Sequence, residues 1–205
     1  MRLFVAIPSS GNVSARFLHC VTQLAGATES GLRIEQFFGA GVINARIVAA
    51  NRFVNSTQFT HFLSIDSDMV FDPEQVKRLC GHDEDIVGGF YAKKQEKLEY
   101  VCCALPEKPE ADSRGLMEMK RIGTGFLMVK RRVFEKMKEK WKDSETFINS
   151  HKEEVFNYYP MGVVNREYVS EDWYFCDRAR ELGFKVYGDT EVVLGHVGDV
   201  VYPLK

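Results

Sequence analysis

The five cysteines of this chain, Cys20, Cys80, Cys102, Cys103 and Cys176, include no CxxC pair. An odd number without metal-ligand spacing argues against both a disulfide framework and a zinc site, and for reduced thiols. No segment approaches the roughly 18 apolar residues of a membrane span. The opening apolar run, residues 3–7, is stopped by Pro8 and is too short for a signal peptide. A formal net charge of -2 offers no electrostatic footprint for nucleic acid or a membrane surface. GxxxxGK[ST] is absent, which excludes a P-loop enzyme, and the first β-to-α turn, Pro8-Ser9-Ser10-Gly11-Asn12-Val13, lacks GxGxxG, which argues against a dinucleotide fold. These absences predict a soluble, cytoplasmic protein in which any bound phosphate has its charge held by a metal.

What is present is enough for one domain: 205 residues, 45% of them hydrophobic. Strand and helix signals alternate. Residues 3–7 and 32–38 read as strands, with a helix between them from about Ser14 carrying Phe17, Val21 and Leu24 and stopped by Gly26. Gly39 and Gly41 open a second helix with Ile43, Ile47, Ala50 and Val54 on one face. Residues 62–65 form a third strand. Asp72 as N-cap, Pro73 at N1 and Gln75 at N3 then start a helix ending near Gly81. Ile86-Val87 is a short strand running into Gly88-Gly89.

Residues 93–115, with Pro106 and Pro109, read as loops or an edge hairpin. Strands at 116–122 and 126–129 flank Gly123-Thr124-Gly125, and a charged helix covers 131–141. Residues 142–168 resist assignment and could include a mobile flap. Ser170 caps a helix with Trp173, Cys176, Ala179 and Leu182 inward and Gly183 at its end; strands at 184–187 and 192–194 follow. The order predicts an α/β fold: a Rossmann-type sandwich whose mixed central sheet, mostly parallel in its first half, is flanked by helices.

The densest chemistry lies in Phe62-Leu-Ser-Ile-Asp66-Ser67-Asp68. An apolar strand delivers two carboxylates to its carboxyl edge, where open α/β sheets bind ligands. In an extended chain Asp66 and Asp68 share a side and Ser67 faces the other way. Such a pair suits Mg²⁺ or Mn²⁺, although an acidic solvated turn has the same sequence. Glu171 and Asp172 open a helix, where the macrodipole favours them and where either can serve as base. His196, between Gly195 and Gly198, is a metal ligand or an exposed loop residue. Gly123, Thr124 and Gly125 admit a substrate to the backbone or form a tight turn. Asn44 and Arg46 sit at a helix start suited to a pyrophosphate or sugar, or simply on a polar face.

Taken in order, these elements resemble the GT-A glycosyltransferases with a DxD motif, particularly the compact single-domain ones. The resemblance runs from Leu3 to about Gly198 through Ile7-Pro8-Ser9-Ser10, Asn44-Ala45-Arg46, Asp66-Ser67-Asp68, Gly123-Thr-Gly-Phe126, Ser170-Glu-Asp-Trp173 and His196-Val-Gly198. Size and motif order are also similar to those of the enzymes with which large DNA viruses glycosylate their capsid proteins, which would place the protein in host cytoplasm.

The resemblance implies one catalytic domain over 1–205, with a nucleotide-binding half at about 1–92 and an acceptor-side half at about 93–205. It implies Mn²⁺ (or Mg²⁺) on Asp66, Asp68 and His196. A nucleotide-diphosphate sugar, UDP-sugar preferred, would lie on Ile7, Pro8, Ser9, Ser10, Asn44, Arg46, Asp66, Ser67 and Gly123 to Gly125. Asp172, beside Glu171, would act at the anomeric carbon and the acceptor hydroxyl of a glycan or glycoprotein, with inversion or retention both open. The other classes compatible with the sequence are a catalytically inactive nucleotide-sugar-binding module and a nucleotidyltransferase.

Overall fold

β1 (Leu3–Ser9) is buried along its whole length because strands pair with it on both edges and core side chains pack on both its faces. The structure, a computed structural model, describes residues 1–28, 30–38, 41–95, 97–105, 107, 110–198 and the backbone of 201–202. Gly39, Pro106 and Pro109, singled out in the sequence, lie outside the described residues.

After β1 come α1 (Ala15–Gly26), β2 (Leu32–Phe38), α2 (Val42–Asn55), β3 (His61–Ile65), β4 (Met69–Val70) and α3 (Pro73–Gly81). Then follow β5 (Ile86–Phe90), β6 (Cys102–Ala104), β7 (Leu116–Ile122), β8 (Phe126–Lys130) and α4 (Arg131–Glu145). The chain closes with β9 (Thr146–Ile148), β10 (Glu154–Phe156), β11 (Gly162–Val164), β12 (Glu167–Val169), α5 (Glu171–Glu181), β13 (Val186–Val193), β14 (Gly195–Val197) and β15 (Val201–Tyr202).

Eight strands form one sheet in the order β2-β1-β3-β8-β5-β13-β7-β6. β2, β1 and β3 are parallel, as are β5 and β13; β8 runs antiparallel between β3 and β5, and β7 antiparallel to β13. This is the expected α/β sandwich of GT-A type, parallel in its first half and mixed afterwards. Strand alternation sorts the core onto two faces. Phe4 and Phe62 join Phe53, Phe134 and Phe175 beneath α2, α4 and α5, with Phe62 and Phe134 edge-on at 5.2 Å. Val5, Leu63 and Ile65 point the other way, against Phe17 and Leu24 of α1 and Val76 and Leu79 of α3.

Local signals account for most boundaries. Ser14 caps α1, its Oγ accepting from the Phe17 N–H at 3.1 Å, and Asp72 and Gln75 form the reciprocal capping box of α3. Elsewhere the fold corrects or completes the sequence reading. The strands on either side of Gly123–Gly125 are not paired across a tight turn; β8 inserts between β3 and β5 while β7 pairs with β13 and β6. The strands expected at 184–187 and 192–194 are a single strand, β13, with a register irregularity between Asp189 and Val193. Residues 142–168 hold the end of α4, with non-helical dihedrals at Trp141, and two small hairpins, β9–β10 and β11–β12. Ser170 occupies the N-cap of α5, but its hydroxyl turns to Asp172 and does not cap.

Candidate active site

β1 and β3 are neighbours and parallel, so their carboxyl ends open on the same edge of the sheet. Pro8, Ser9 and Ser10 leave β1 there, Asp66, Ser67 and Asp68 leave β3, and Gly41 and Val42 bring in the start of α2. Together they line a cleft of about 210 Å³. Ser9 is buried and its Oγ accepts from the Gly11 N–H at 3.1 Å, which fixes the loop; Ser10 is exposed. Gly41 has φ 103°, a conformation that glycine adopts without strain, and α2 starts without a side-chain cap. Its first N–H groups, at the positive end of the helix dipole, suit an anion. Ile7 is corrected: it lies in the core with Leu63 and Ile65, not on the cleft. Asn44 is exposed on the first turn of α2, outside the lining.

The chain leaves the extended state at Ile65, so the alternation expected for Asp66, Ser67 and Asp68 fails. They form a turn in which the Met69 N–H bonds the Asp66 carbonyl at 3.1 Å, and Ser67 lines the same cleft as its neighbours. The two carboxylates consequently have different partners. Both oxygens of Asp66 accept from Arg46 Nη2, at 2.7 and 2.9 Å, and Arg46 Nη1 donates to Glu171 Oε1. Burial disfavours the guanidinium's charge, but Asp66 and Glu171 outweigh it and hold Arg46 above its ordinary value. Arg46 is therefore 5% exposed and tied to two site carboxylates, and it is not presented to a ligand in this arrangement.

Tyr91 completes this closed side. Its hydroxyl accepts from the Gly125 N–H at 3.0 Å, and the Gly125 carbonyl in turn accepts from the Asp66 N–H at 2.9 Å. Burial pushes the phenol's proton affinity up and the Asp66 charge adds to it. A Cβ on Gly123 would sit 2.1 Å from the Tyr91 hydroxyl oxygen, and one on Gly125 2.7 Å from it and 2.9 Å from Asp66 Oδ2. The space expected to admit a substrate at Gly123 and Gly125 is thus filled by Tyr91 and Asp66, and the glycines are accounted for by that contact. Thr124 is buried between them.

Asp68 faces a different set. His196 sits on β14, which pairs antiparallel with β4, and this brings His196 Nε2 to 3.4 Å from Asp68 Oδ2. Lys94 Nζ donates to the same oxygen. Burial opposes ionisation of Asp68, but His196 and Lys94 outweigh it and hold the carboxyl below the usual range. His196 Nδ1 lies 2.8 Å from the Ala92 carbonyl, an acceptor only, so Nδ1 carries a hydrogen. The Nε2 edge of the ring therefore faces Asp68: with a proton it donates to that carboxylate, and without one it would offer a divalent ion the lone pair by which histidine binds metals.

Asp68 Oδ1 is buried without a hydrogen-bond partner. A carboxylate with one orphaned oxygen and an imidazole facing the other supply donors that fit a hard divalent cation, and the ammonium on Asp68 shows that this carboxylate already draws positive charge. Among the described residues, no group of three or more His, Cys, Asp or Glu is assembled for a metal ion.

On α5, Glu171 is held by Arg46 and is not presented as a base. Asp172 Oδ1 accepts from the Ser170 hydroxyl and, at 2.8 Å, from the Trp173 N–H. Sequence reasoning missed the roles of Tyr91, the Ala92 carbonyl and Lys94. The available signal was positional: the three residues follow β5, whose carboxyl end opens on the same edge as that of β3.

No protein-family model matches the chain, and no curated protein matches it in sequence. Solved structures do match in fold. The A197 protein from STIV aligns with a TM-score of 0.62 at 20% identity, over 97% of this chain and 87% of that one. GalNAc-T7, solved with UDP, GalNAc and Mn²⁺, aligns at 0.59 and 9% identity, over 96% of this chain. TarS 1-349 from S. aureus, in complex with UDP-GlcNAc, aligns at 0.50 and 12% identity, over 99% of it. The chain spans 44% of the GalNAc-T7 chain and 58% of the TarS chain. No described helix is long and apolar enough to cross a membrane.

Proposed function

We propose that this chain transfers a sugar from a nucleoside-diphosphate sugar, with UDP as the nucleotide, to a hydroxyl of a glycan or glycoprotein, and that it does so with Mn²⁺ or Mg²⁺. The observation that carries the reading is the Asp68–His196 pair with its orphaned carboxylate oxygen, on the rim of a cleft formed where β1 and β3 end. Charge supports it. Asp66, Asp68, Glu171 and Asp172 bring more negative charge to this edge than Arg46 and Lys94 offset. The surplus of negative charge opposes a diphosphate, and an added divalent cation would offset it. The fold it shares with structures holding UDP or UDP-GlcNAc supports the choice of nucleotide.

In this reading Pro8, Ser9 and Ser10 receive the nucleoside and the open N–H groups of α2 face phosphate oxygens. Asp68 and His196 would hold the divalent ion, which would supply stabilisation of the negative charge growing on the leaving diphosphate. Arg46 fixes Asp66 against α5 and so sets the distance between the donor side and Asp172. The acceptor oxygen attacks the anomeric carbon as the bond to the diphosphate breaks. With inversion, the acceptor proton passes to Asp172, whose Oδ1 is held by Ser170 and Trp173, leaving Oδ2 as the receiving oxygen. With retention, the leaving phosphate takes the proton and Asp172 orients.

Calorimetric titration of UDP, GDP, CMP and ADP, each with and without Mn²⁺, tests the reading. Binding of one diphosphate only with metal is expected. Absence of binding under every condition would return Asp66–Asp68 to an acidic turn. Preference for a nucleoside triphosphate with pyrophosphate release would mark a nucleotidyltransferase. Asp172→Asn should retain donor binding and lose turnover; wild-type turnover would reduce Asp172 to a helix-start carboxylate.

A further inference from the structure

The two cations of the site are held very differently. Arg46 is locked between Asp66 and Glu171, whereas Lys94 rests on Asp68 with 37% of its side chain exposed. Lys94 therefore lies where a divalent ion bound to Asp68 and His196 would put its own charge. A divalent ion on Asp68 would repel the ammonium across the same carboxylate, so binding of the ion weakens the lysine's hold on Asp68. The backbone around Lys94 is anchored: the Val101 N–H bonds the Tyr91 carbonyl at 3.1 Å, Ala92 bridges Tyr100, and the Lys93 N–H bonds the Glu99 carbonyl at 2.8 Å. The Ala92 carbonyl also orients His196. Only the lysine stem, a compact charge on four rotatable carbons, has to move.

We propose that Lys94 exchanges partners as the site fills. It holds Asp68 in the free protein, yields that carboxylate to the divalent ion, and then pairs with the donor's diphosphate, whose negative charge arrives at the same place. The inference rests on the donor reading above. It adds that metal and lysine compete for Asp68 and that metal and lysine cooperate once the diphosphate is bound.

Lys94→Met keeps the stem and removes the charge. Mn²⁺ alone, followed by its paramagnetic resonance signal, should bind the variant about fivefold more tightly than the wild type, the scale of a half-exposed ion pair. UDP at saturating Mn²⁺ should bind about tenfold more weakly, the scale of one charge-assisted contact to phosphate. Lys93→Met, which loses a pairing with Glu99 on the same strap, should leave both affinities unchanged. Equal or weaker Mn²⁺ binding by the Lys94 variant, or no Mn²⁺ binding by either protein, overturns the exchange. Tighter Mn²⁺ binding with unchanged UDP affinity overturns the diphosphate destination. Separated Mn²⁺ curves with no UDP binding to either protein would sink the donor reading and leave the exchange at Asp68 standing.

Discussion

Asp66 and Asp68 are separated by one residue, yet they occupy opposite regimes. Asp66 belongs to a closed network: both oxygens on Arg46, its N–H on Gly125, Tyr91 packed beside it and Glu171 beyond. Asp68 belongs to an open one: a single oxygen shared by Lys94 and His196, the other without a partner, and 35% of its side chain in solvent. The difference follows from the turn after Ile65, which sends one carboxylate inward beneath α2 and the other to the rim. The two carboxylates of the motif are therefore not equivalent: Asp66 ties the edge of the sheet together, and Asp68 stands at the rim, where the proposed exchange would take place.

The sharpest test of this division is to remove each side separately. Asp68→Ala takes away the exchangeable carboxylate and no core volume, so Mn²⁺-dependent UDP binding should disappear while stability stays within about 0.5 kcal/mol of wild type. Calorimetry and urea unfolding read the two quantities. Retained Mn²⁺-dependent binding would mean that Asp66, not Asp68, carries the ion. Arg46→Met should reverse the pattern. It strands Asp66 and Glu171, 23% and 15% exposed, beside an apolar side chain. A loss of about 3 kcal/mol in urea unfolding is expected from breaking a buried pair on one side only. An unchanged midpoint would show that the two carboxylates reach water without Arg46 and that the closed side is not closed.

A smaller effect tests the wedge behind Asp66. Gly123→Ala drives a methyl into the Tyr91 hydroxyl, at 2.1 Å in the unaltered backbone, and overpacking of this kind costs about 2 kcal/mol. In a Tyr91→Phe background the oxygen is gone, while Val101 Cγ1 at 2.8 Å and the ring carbon at 2.9 Å remain. The combined loss should then fall short of the sum, which thermal unfolding of the four proteins measures. Additive losses would mean that Gly123 is required for reasons other than the Tyr91 hydroxyl, the contact with Val101 among them.

Much of the closed and open sides was legible in the sequence, for a physical reason. Strand ends, caps and helix starts are local, and Ser14, Asp72, Pro73 and Gln75 marked them where the structure has them. The β1 and β3 ends needed only the βαβ order to be placed side by side. Arg46, Asp66, Glu171, Asp68 and His196 were all singled out, and Asp68 was expected beside His196, but the pairing of Arg46 with Asp66 and Glu171 was not foreseen, because an ion pair between Arg46 and Glu171 spans 125 positions of chain and leaves no periodic trace. The inward turn at Asp66 was missed because alternation was extended past the last strand residue. Lys94 was missed because a lysine after a strand is ordinary in composition; only the fold shows that it meets Asp68, 26 residues earlier. Gly123 and Gly125 were noticed and misread, since a glycine signals close approach without naming what approaches.

The smallest prediction concerns the opposite end of β3, where His61 begins the strand that Asp66 follows. His61 is half-buried, with Nδ1 at 2.8 Å from the Thr60 hydroxyl, and burial together with Lys130 holds its pKa below the ordinary histidine value. A folded state with the lower pKa binds fewer protons than the unfolded chain, so stability is fully present above the unfolded pKa, about 6.5, and declines as pH falls through it toward the folded value. His61→Gln removes that titration. Its urea midpoint should decline less than that of the wild type between about pH 7 and pH 5, where histidine titrates, while Mn²⁺-dependent UDP binding at pH 7 stays unchanged. Parallel declines in the two proteins would mean that the unfolded chain, or another group, carries the pH dependence. A change in UDP binding would mean that the two ends of β3 are coupled, and that the separation between a structural side and an exchanging side does not hold along this strand.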